Sequence, residues 1–298
     1  MKFIDLFAGI GGFHLGISQA GHDCVFASEK DAFCRQVYQA NFGMTPAGDI
    51  TQIEAHEIPD HDILLGGFPC QPFSQAGKRK GFEDSRGTMI YEILRILEAK
   101  KPEYFILENV KQLVYHDKGK TIASILGWLI ELGYKVEYRV LNSNDFGVPQ
   151  KRERVFFLGT RSGIIRWPDV IRYETRVGDI LETGVDPKYT LSDKLWEGHV
   201  GRKQKHVEKG NGFGYSLFYP DNRYTNTISA RYHKDGSEIL IHQEGKNPRR
   251  LTPRECARLQ GFPDSFKIVC SDTQTYRQFG NAVCVPVVLA LAKFIVPS

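Results

Sequence analysis

Short apolar runs alternate with longer helical patterns through the first 160 residues, and this rhythm constrains the fold more than any other feature of the chain. The runs are Phe3–Phe7, Cys24–Ala27, Ile63–Leu65, Tyr104–Leu107, Val136–Val140 and Val155–Leu158, separated by stretches such as Asp31–Asn41, Thr88–Ala99 and Thr121–Leu132. Apolar runs of this length spaced by helices describe a doubly wound, mostly parallel α/β sheet. Ligands of such sheets gather beyond the carboxyl ends of the strands, so the residues that follow each run carry the functional information.

Those residues are glycines, carboxylates and one cysteine. Ala8-Gly9-Ile10-Gly11-Gly12 follows the first run, Ser28-Glu29 the second, Gly66-Gly67-Phe68-Pro69-Cys70 the third and Glu108-Asn109 the fourth, with Asp49 in a loop of its own. The glycine loop suits close backbone approach to a nucleotide-like ligand. The dinucleotide pattern G-x-G-x-x-G needs a glycine where His14 stands, which disfavours a nicotinamide or flavin and points to a cofactor without pyrophosphate. Glu29, about 20 residues on, stands where an acid takes ribose hydroxyls.

Cys70 lies between Pro69 and Pro72 in a stiffened loop rather than inside an apolar period. A thiolate there is a candidate nucleophile, whereas Cys24, Cys34, Cys256, Cys270 and Cys284 read as packing residues. Glu108 ends a buried run, where a carboxylate either serves a reaction or sits in an ion pair with Arg152 or Arg154. Gln150-Lys151-Arg152-Glu153-Arg154 places two arginines two residues apart, as an anion clamp or as a solvated basic turn. The stretch from Ser74 to Gly87 reads as a mobile basic lid or as an ordinary surface loop.

The rhythm fails from about Ile164 to Arg250, where Gly, Tyr and Asn abound and only short β-like pieces occur, at Thr225–Arg231 and Glu238–Ile241. Helical patterning returns in Thr252–Leu259, with Thr252, Pro253 and Glu255 at capping positions, and in Val283–Val296. The expected division is a catalytic and cofactor-binding domain over 1–170, a smaller irregular β-rich recognition domain over 171–250, and a hinge and C-terminal helix over 251–298 that returns to the first domain.

Composition excludes whole classes. With 41% apolar and 25% charged residues, disorder and low complexity are out. The chain shows neither a basic, apolar leader nor a run of about 18 apolar residues, so a membrane partner is not expected. No cysteine pair has the C-x-x-C spacing of zinc or redox motifs, so no metal is expected, and a disulfide framework is not expected in so long a chain. The formal charge of +4 is unevenly held: residues 151–250 carry 19 Lys+Arg against 13 Asp+Glu, net +6, and the remainder carries net −2. A basic recognition segment suits phosphate contact.

Together these pieces resemble the bacterial DNA (cytosine-5)-methyltransferase family over nearly the whole chain. Phe7-Ala8-Gly9-Ile10-Gly11-Gly12 is similar to its S-adenosylmethionine loop, Pro69-Cys70-Gln71 to its nucleophile motif, Glu108-Asn109-Val110 to its acid motif, Gln150 to Arg154 to its Q-x-R-x-R motif, and Gln278 to Val283 to its closing motif. The resemblance implies the methyltransferase fold and base flipping of a cytosine in double-stranded DNA. It makes Cys70 the nucleophile at C6, with Glu108, Arg152 and Arg154 as the other catalytic residues. S-adenosylmethionine, leaving as S-adenosylhomocysteine, would be held by Phe7, Gly9, Gly11, Glu29, Asp49, Ile50, Pro69 and Asn281.

DNA would be contacted by Gln71 beside the nucleophile, by Ser74, Lys78 and Arg79 of the stretch that follows, and by Thr227, Ser229, Arg231, Tyr232 and His233 of the recognition domain, with Arg231 the first choice for a guanine. Stretches Gly210–Tyr215 and Lys234–Leu240 are similar to those of members that methylate CC-N-GG-type sites. Lys30 departs from the family pattern, which often has a large side chain covering the adenine there. The implied setting is a monomer in the bacterial cytoplasm, the modification enzyme of a restriction–modification system with a separately acting endonuclease. A tRNA cytosine-5 methyltransferase built on the same parts is the alternative.

Overall fold

The computed structural model describes residues 1–68, 89–169, 173–212 and 214–293. They form two compact units: 1–141 with 153–169 and the C-terminal stretch from 287, and 142–152 with 170–286. The division departs from the expected one. The Q-x-R segment and residues 251–286 pack with the second unit, and only the end of the chain rejoins the first.

The first unit is built on a sheet of six strands, β1 (Lys2–Leu6), β2 (Asp23–Ser28), β3 (Ile63–Gly67), β4 (Tyr104–Val110), β5 (Lys135–Asn142) and β6 (Glu153–Thr160), in the order β2-β1-β3-β4-β6-β5. β1 pairs in parallel with β2 and β3, β3 with β4, and β6 runs antiparallel to β4. Each predicted run is a strand, and the buried Ile63, Leu64, Leu65, Phe105, Ile106 and Leu107 show why. Each such side chain removed from water contributes roughly 1.5–3 kcal/mol.

The helices α1 (Gly12–Ser18), α2 (Ala32–Phe42), α3 (Met89–Lys100) and α4 (Lys120–Glu131) fill the connections. α2 begins where the Asp31 carboxylate accepts the Cys34 amide at 3.0 Å and ends at Gly43, which is left-handed. The chain's last helix, α8 (Val285–Ala292), reaches α1 through a close approach: a Cβ on Gly16 would come within 2.7 Å of Val288.

Strand order fixes where a ligand can go. The sheet grows from β1 toward β2 on one side and toward β3 and β4 on the other, so the chain reverses its winding at the β1–β3 boundary. Loops leaving the carboxyl ends of β1 and β3 part there and open a crevice. The registers Leu6↔Ser28, Leu6↔Gly66 and Gly67↔Glu108 align the ends of four strands along this edge.

In the second unit, regular structure is sparse. It contains α5 (Asp193–Glu208), α6 (Pro253–Leu259), α7 (Asp272–Asn281) and the two-residue strands β7 (Leu217–Phe218) and β8 (Leu240–Ile241), which pair in parallel. α6 opens with the expected capping box, Thr252 accepting from the Glu255 amide at 3.1 Å and Glu255 from the Thr252 amide at 2.8 Å. The buried Arg249 guanidinium also grips Glu255, with both contacts at 2.7 Å. Thr225–Arg231, predicted β-like, is an irregular segment whose β-pairing is an isolated bridge between Gln150 and Thr225.

Candidate active site

Backbone strain marks the loop after β1. Phe7 adopts φ 56°, Gly9 φ 54° and Gly11 φ 86°. A non-glycine residue in this region costs about 1–3 kcal/mol and persists only where its surroundings hold it. Gly11 is required twice over, because a Cβ there would fall 2.2 Å from the Phe42 ring. Around Gly9 a Cβ would meet nothing within 4 Å, so the loop presents bare backbone to open space.

Glu29, at the end of β2, ties this loop down. One carboxylate oxygen accepts the Gly9 amide and the other the Asp31 amide, both at 2.7 Å. Burial pushes the Glu29 carboxyl above its ordinary pKa, against those two hydrogen bonds. A carboxylate accepts about four hydrogen bonds, so capacity remains for a pair of hydroxyls. Asp49 accepts from the amide and hydroxyl of Thr51 and pairs with Lys30 at 2.9 Å. The Lys30 ammonium holds the Asp49 carboxyl below its usual range. Lys30 is itself highly exposed, so the pair adds little stability. Ile50 is only 3% exposed and belongs to the hydrophobic core, which leaves no broad face of it to cover an adenine.

Beneath the loop lies a buried polar cluster that sequence reasoning missed. Asp5 is fully buried and makes no hydrogen bond of good geometry, although it faces the His14 amide. Burial, reinforced by Glu29, raises its pKa well above the ordinary value. His14 meets the Tyr38 hydroxyl at 2.6 Å and stacks on Phe42, and burial lowers its pKa to about 4. Burial also pushes the Cys24 thiol up to about 12 and raises that of Cys256, so neither supplies a thiolate near neutral pH.

The acid at the end of β4 has the partner anticipated for it. Arg154 Nε lies 3.1 Å from Glu108 Oε1, with both side chains largely buried. Burial lowers the Arg154 pKa and the Glu108 charge opposes that shift. The other Glu108 oxygen sits beside Gly67, the last residue of β3. Asn109, unassigned from sequence except as part of a motif, donates to the Phe68 carbonyl at 2.9 Å and thereby anchors the chain just ahead of Pro69-Cys70. Pro69, Cys70, Gln71, Ser74, Lys78 and Arg79 lie outside the described residues.

In the second unit Arg152 takes an unexpected place. It is 2% exposed, and its guanidinium donates to the carbonyls of Ile228, Gly280 and Ala282 at 3.1, 3.2 and 2.9 Å, instead of facing phosphates. Tyr232, offered as a DNA contact, is a core residue: its hydroxyl donates to Ile239 O and accepts the Leu251 amide. Thr227 donates to Lys151 O at 2.6 Å, and Ser229 to the Glu238 carboxylate. His233 is half-buried against the Ala230 carbonyl, while Arg231 and Asn281 are exposed. Among the described residues no cluster of three His, Cys, Asp or Glu could hold a metal ion, and no helix is long and apolar enough to cross a membrane.

The model of the family "C-5 cytosine-specific DNA methylase" matches residues 1–296. The type II methyltransferase M.NlaX of Neisseria lactamica is 60% identical over 98% of this chain and 95% of its own. Another type II methyltransferase, M1.ScrFI of Lactococcus lactis, is 56% identical over 98% of this chain and 77% of its own. Among solved structures, the Dnmt2 methyltransferase of S. pombe superposes with a TM-score of 0.78 at 22% identity over 98% of this chain and 96% of that one, a likeness of fold. With the family model spanning nearly every residue, the chain belongs to the C-5 cytosine-specific DNA methylases and is a DNA (cytosine-5)-methyltransferase.

Proposed function

We propose that the chain is the modification enzyme of a type II restriction–modification system, methylating C5 of one cytosine within a CC-N-GG-type duplex site through a covalent Cys70 adduct. The Glu108–Arg154 pair is the observation that carries this reading: a cation holds the carboxylate at the strand edge that Phe68 leaves for Pro69-Cys70.

Cytosine C5 is a poor nucleophile. Addition of the Cys70 thiolate to C6 breaks the C5–C6 double bond and moves electron density to C5, while Glu108 hydrogen-bonds N3 and the exocyclic amine and stabilises the adduct. Arg154 orients Glu108 and donates to the base O2. After C5 is methylated, loss of the C5 proton to a base restores the double bond and expels Cys70. The target base reaches these groups only when rotated out of the duplex.

S-adenosylmethionine, when bound, supplies the electrophilic methyl group. The open backbone at Gly9 and the Glu29 carboxylate fit its nucleoside, with Asp49 at the adenine amine and Asn281 at the methionine end. Lys30 pairs with Asp49 at this edge and so offers no broad side chain to cover the adenine face. The relatives of 52–60% identity are all named type II methyltransferases, which favours duplex DNA over the tRNA alternative.

Bisulfite sequencing of DNA and tRNA from a bacterial host expressing the chain, with the Cys70→Ala variant alongside, tests the proposal. Protected cytosines at one position of a CC-N-GG-type site, lost with the variant, are expected. Methylation in tRNA alone, or full activity of the variant, would overturn it.

A further inference from the structure

Three buried polar side chains of the second unit form a closed hydrogen-bonded ring that joins Ile228 to residues 279–282. Gln150, Arg152 and Gln260 are at most 2% exposed. Gln150 accepts the Ile228 amide at 2.9 Å and donates to Gln260 Oε1 at 3.1 Å. Gln260 donates to the Phe279 and Ala282 carbonyls at 2.7 and 3.2 Å. Arg152 closes the ring, donating to Gly280 and Ala282 on one side and to Ile228 O on the other. Both backbone polar groups of Ile228 are thus captured, as are the carbonyls on either side of Asn281.

The two segments are also in direct contact. A Cβ on Gly280 would fall 2.4 Å from the Ser229 carbonyl group and 2.5 Å from the Ala230 nitrogen, so the recognition segment lies on bare helix backbone at the end of α7. The carbonyls there are the ones a helix leaves unpaired at its C-terminus, where a cation is favoured. A planar guanidinium can hold carbonyls in fixed, divergent directions, which an ammonium on a flexible stem cannot. Buried side chains that each bond several backbone groups rigidify the segments they join.

We propose that Arg152 is a positioning residue that couples cofactor binding to DNA recognition, by making the 227–231 segment and the Asn281 loop one rigid body. This rests on the preceding reading, in which Asn281 meets the cofactor and the 227–231 segment meets DNA. Ordering either segment by its ligand lowers the cost of ordering the other, and the effect is reciprocal. Arg152→Lys keeps the charge but breaks the ring.

The measurement is the affinity of the full chain for a duplex carrying its target site, with and without saturating S-adenosylhomocysteine. In the wild type the cofactor product tightens DNA binding by about fivefold or more, and in Arg152→Lys that factor falls toward one, whatever happens to either affinity alone. An unchanged factor in the folded variant overturns the proposal. Hydrogen exchange on the wild type decides independently of how the variant folds: S-adenosylhomocysteine without DNA slows exchange of amides in 228–232, and no slowing overturns the coupling. A wild type that binds both ligands without coupling defeats this inference alone, whereas one that binds neither defeats the reading beneath it.

Discussion

Arg154 and Glu108 meet at 3.1 Å because β4 and β6 run antiparallel in a register that pairs Val110 with Arg154. The parallel pairing Gly67↔Glu108 carries the same acid to the end of β3. Two registers therefore converge on one carboxylate. Such an acid is oriented by the sheet itself, the most rigid element available.

Replacing Glu108 by Gln keeps the shape and removes the charge. Methyl transfer from labelled S-adenosylmethionine should fall by about 10²- to 10⁴-fold, the range for a positioned acid–base group. DNA binding should change far less. Equal losses in both would remove Glu108 from the chemistry and return it to a structural ion pair.

The two loop glycines should separate folding from cofactor binding. Gly11→Ala forces a side chain into the Phe42 ring at an unfavourable φ, costing about 1–3 kcal/mol and lowering Tm by several degrees. Gly9→Ala carries only the backbone strain, since its Cβ meets nothing. It should lower Tm less than Gly11→Ala, and its cofactor Kd should weaken because the new methyl group fills the open space. Titration calorimetry beside thermal unfolding checks the pair, and an inverted order would contradict the assignment of that space.

Asp5 makes a pH prediction with a definite sign. Its pKa is raised by folding, so between the ordinary aspartate value and the raised one the native chain binds more protons than the unfolded chain. Stability from this group is therefore present at low pH and lost as pH rises through that window. His14, lowered to about 4, acts with the opposite sign up to its ordinary value of 6.5. Comparing Asp5→Asn with the wild type isolates the Asp5 contribution. The variant should gain stability relative to the wild type as pH rises above the ordinary aspartate range, and a constant difference in Tm would show that Asp5 is not held protonated.

What could be read beforehand follows from the kind of signal each element leaves. The central strands β1, β3, β4 and β6 announced themselves because buried strands are largely apolar, whereas β5, with Leu141 its one buried residue, shows as an alternation; Glu29 and Glu108 stood out as charges at the ends of apolar runs. α5 left no trace: His199 is its only buried residue, so its sequence has no apolar stripe to betray a helix. Tyr232 and Arg152 misled for a related reason. Buried polar side chains satisfied by backbone carbonyls look, in sequence, like groups available to a ligand. The polar cluster of Asp5, His14 and Tyr38 is assembled from three elements and has no linear signature.

Of the proposed base-reading residues, Arg231 is the one whose side chain stands exposed, on a segment whose neighbours Thr227, Ser229 and Tyr232 spend their hydroxyls internally. If it makes a bidentate guanine contact, Arg231→Ala should weaken binding to the target by about 1–3 kcal/mol and relax discrimination at one base pair. Loss of a phosphate contact would instead weaken all sequences alike and reduce the slope of log K against log salt by about one. The net charge of +6 in residues 151–250 predicts that cation deletions there flatten that slope more than equal deletions elsewhere. Salt titrations with target and mismatched duplexes separate the two contributions. An Arg231→Ala protein with unaltered slope and unaltered discrimination would remove this side chain from the DNA interface.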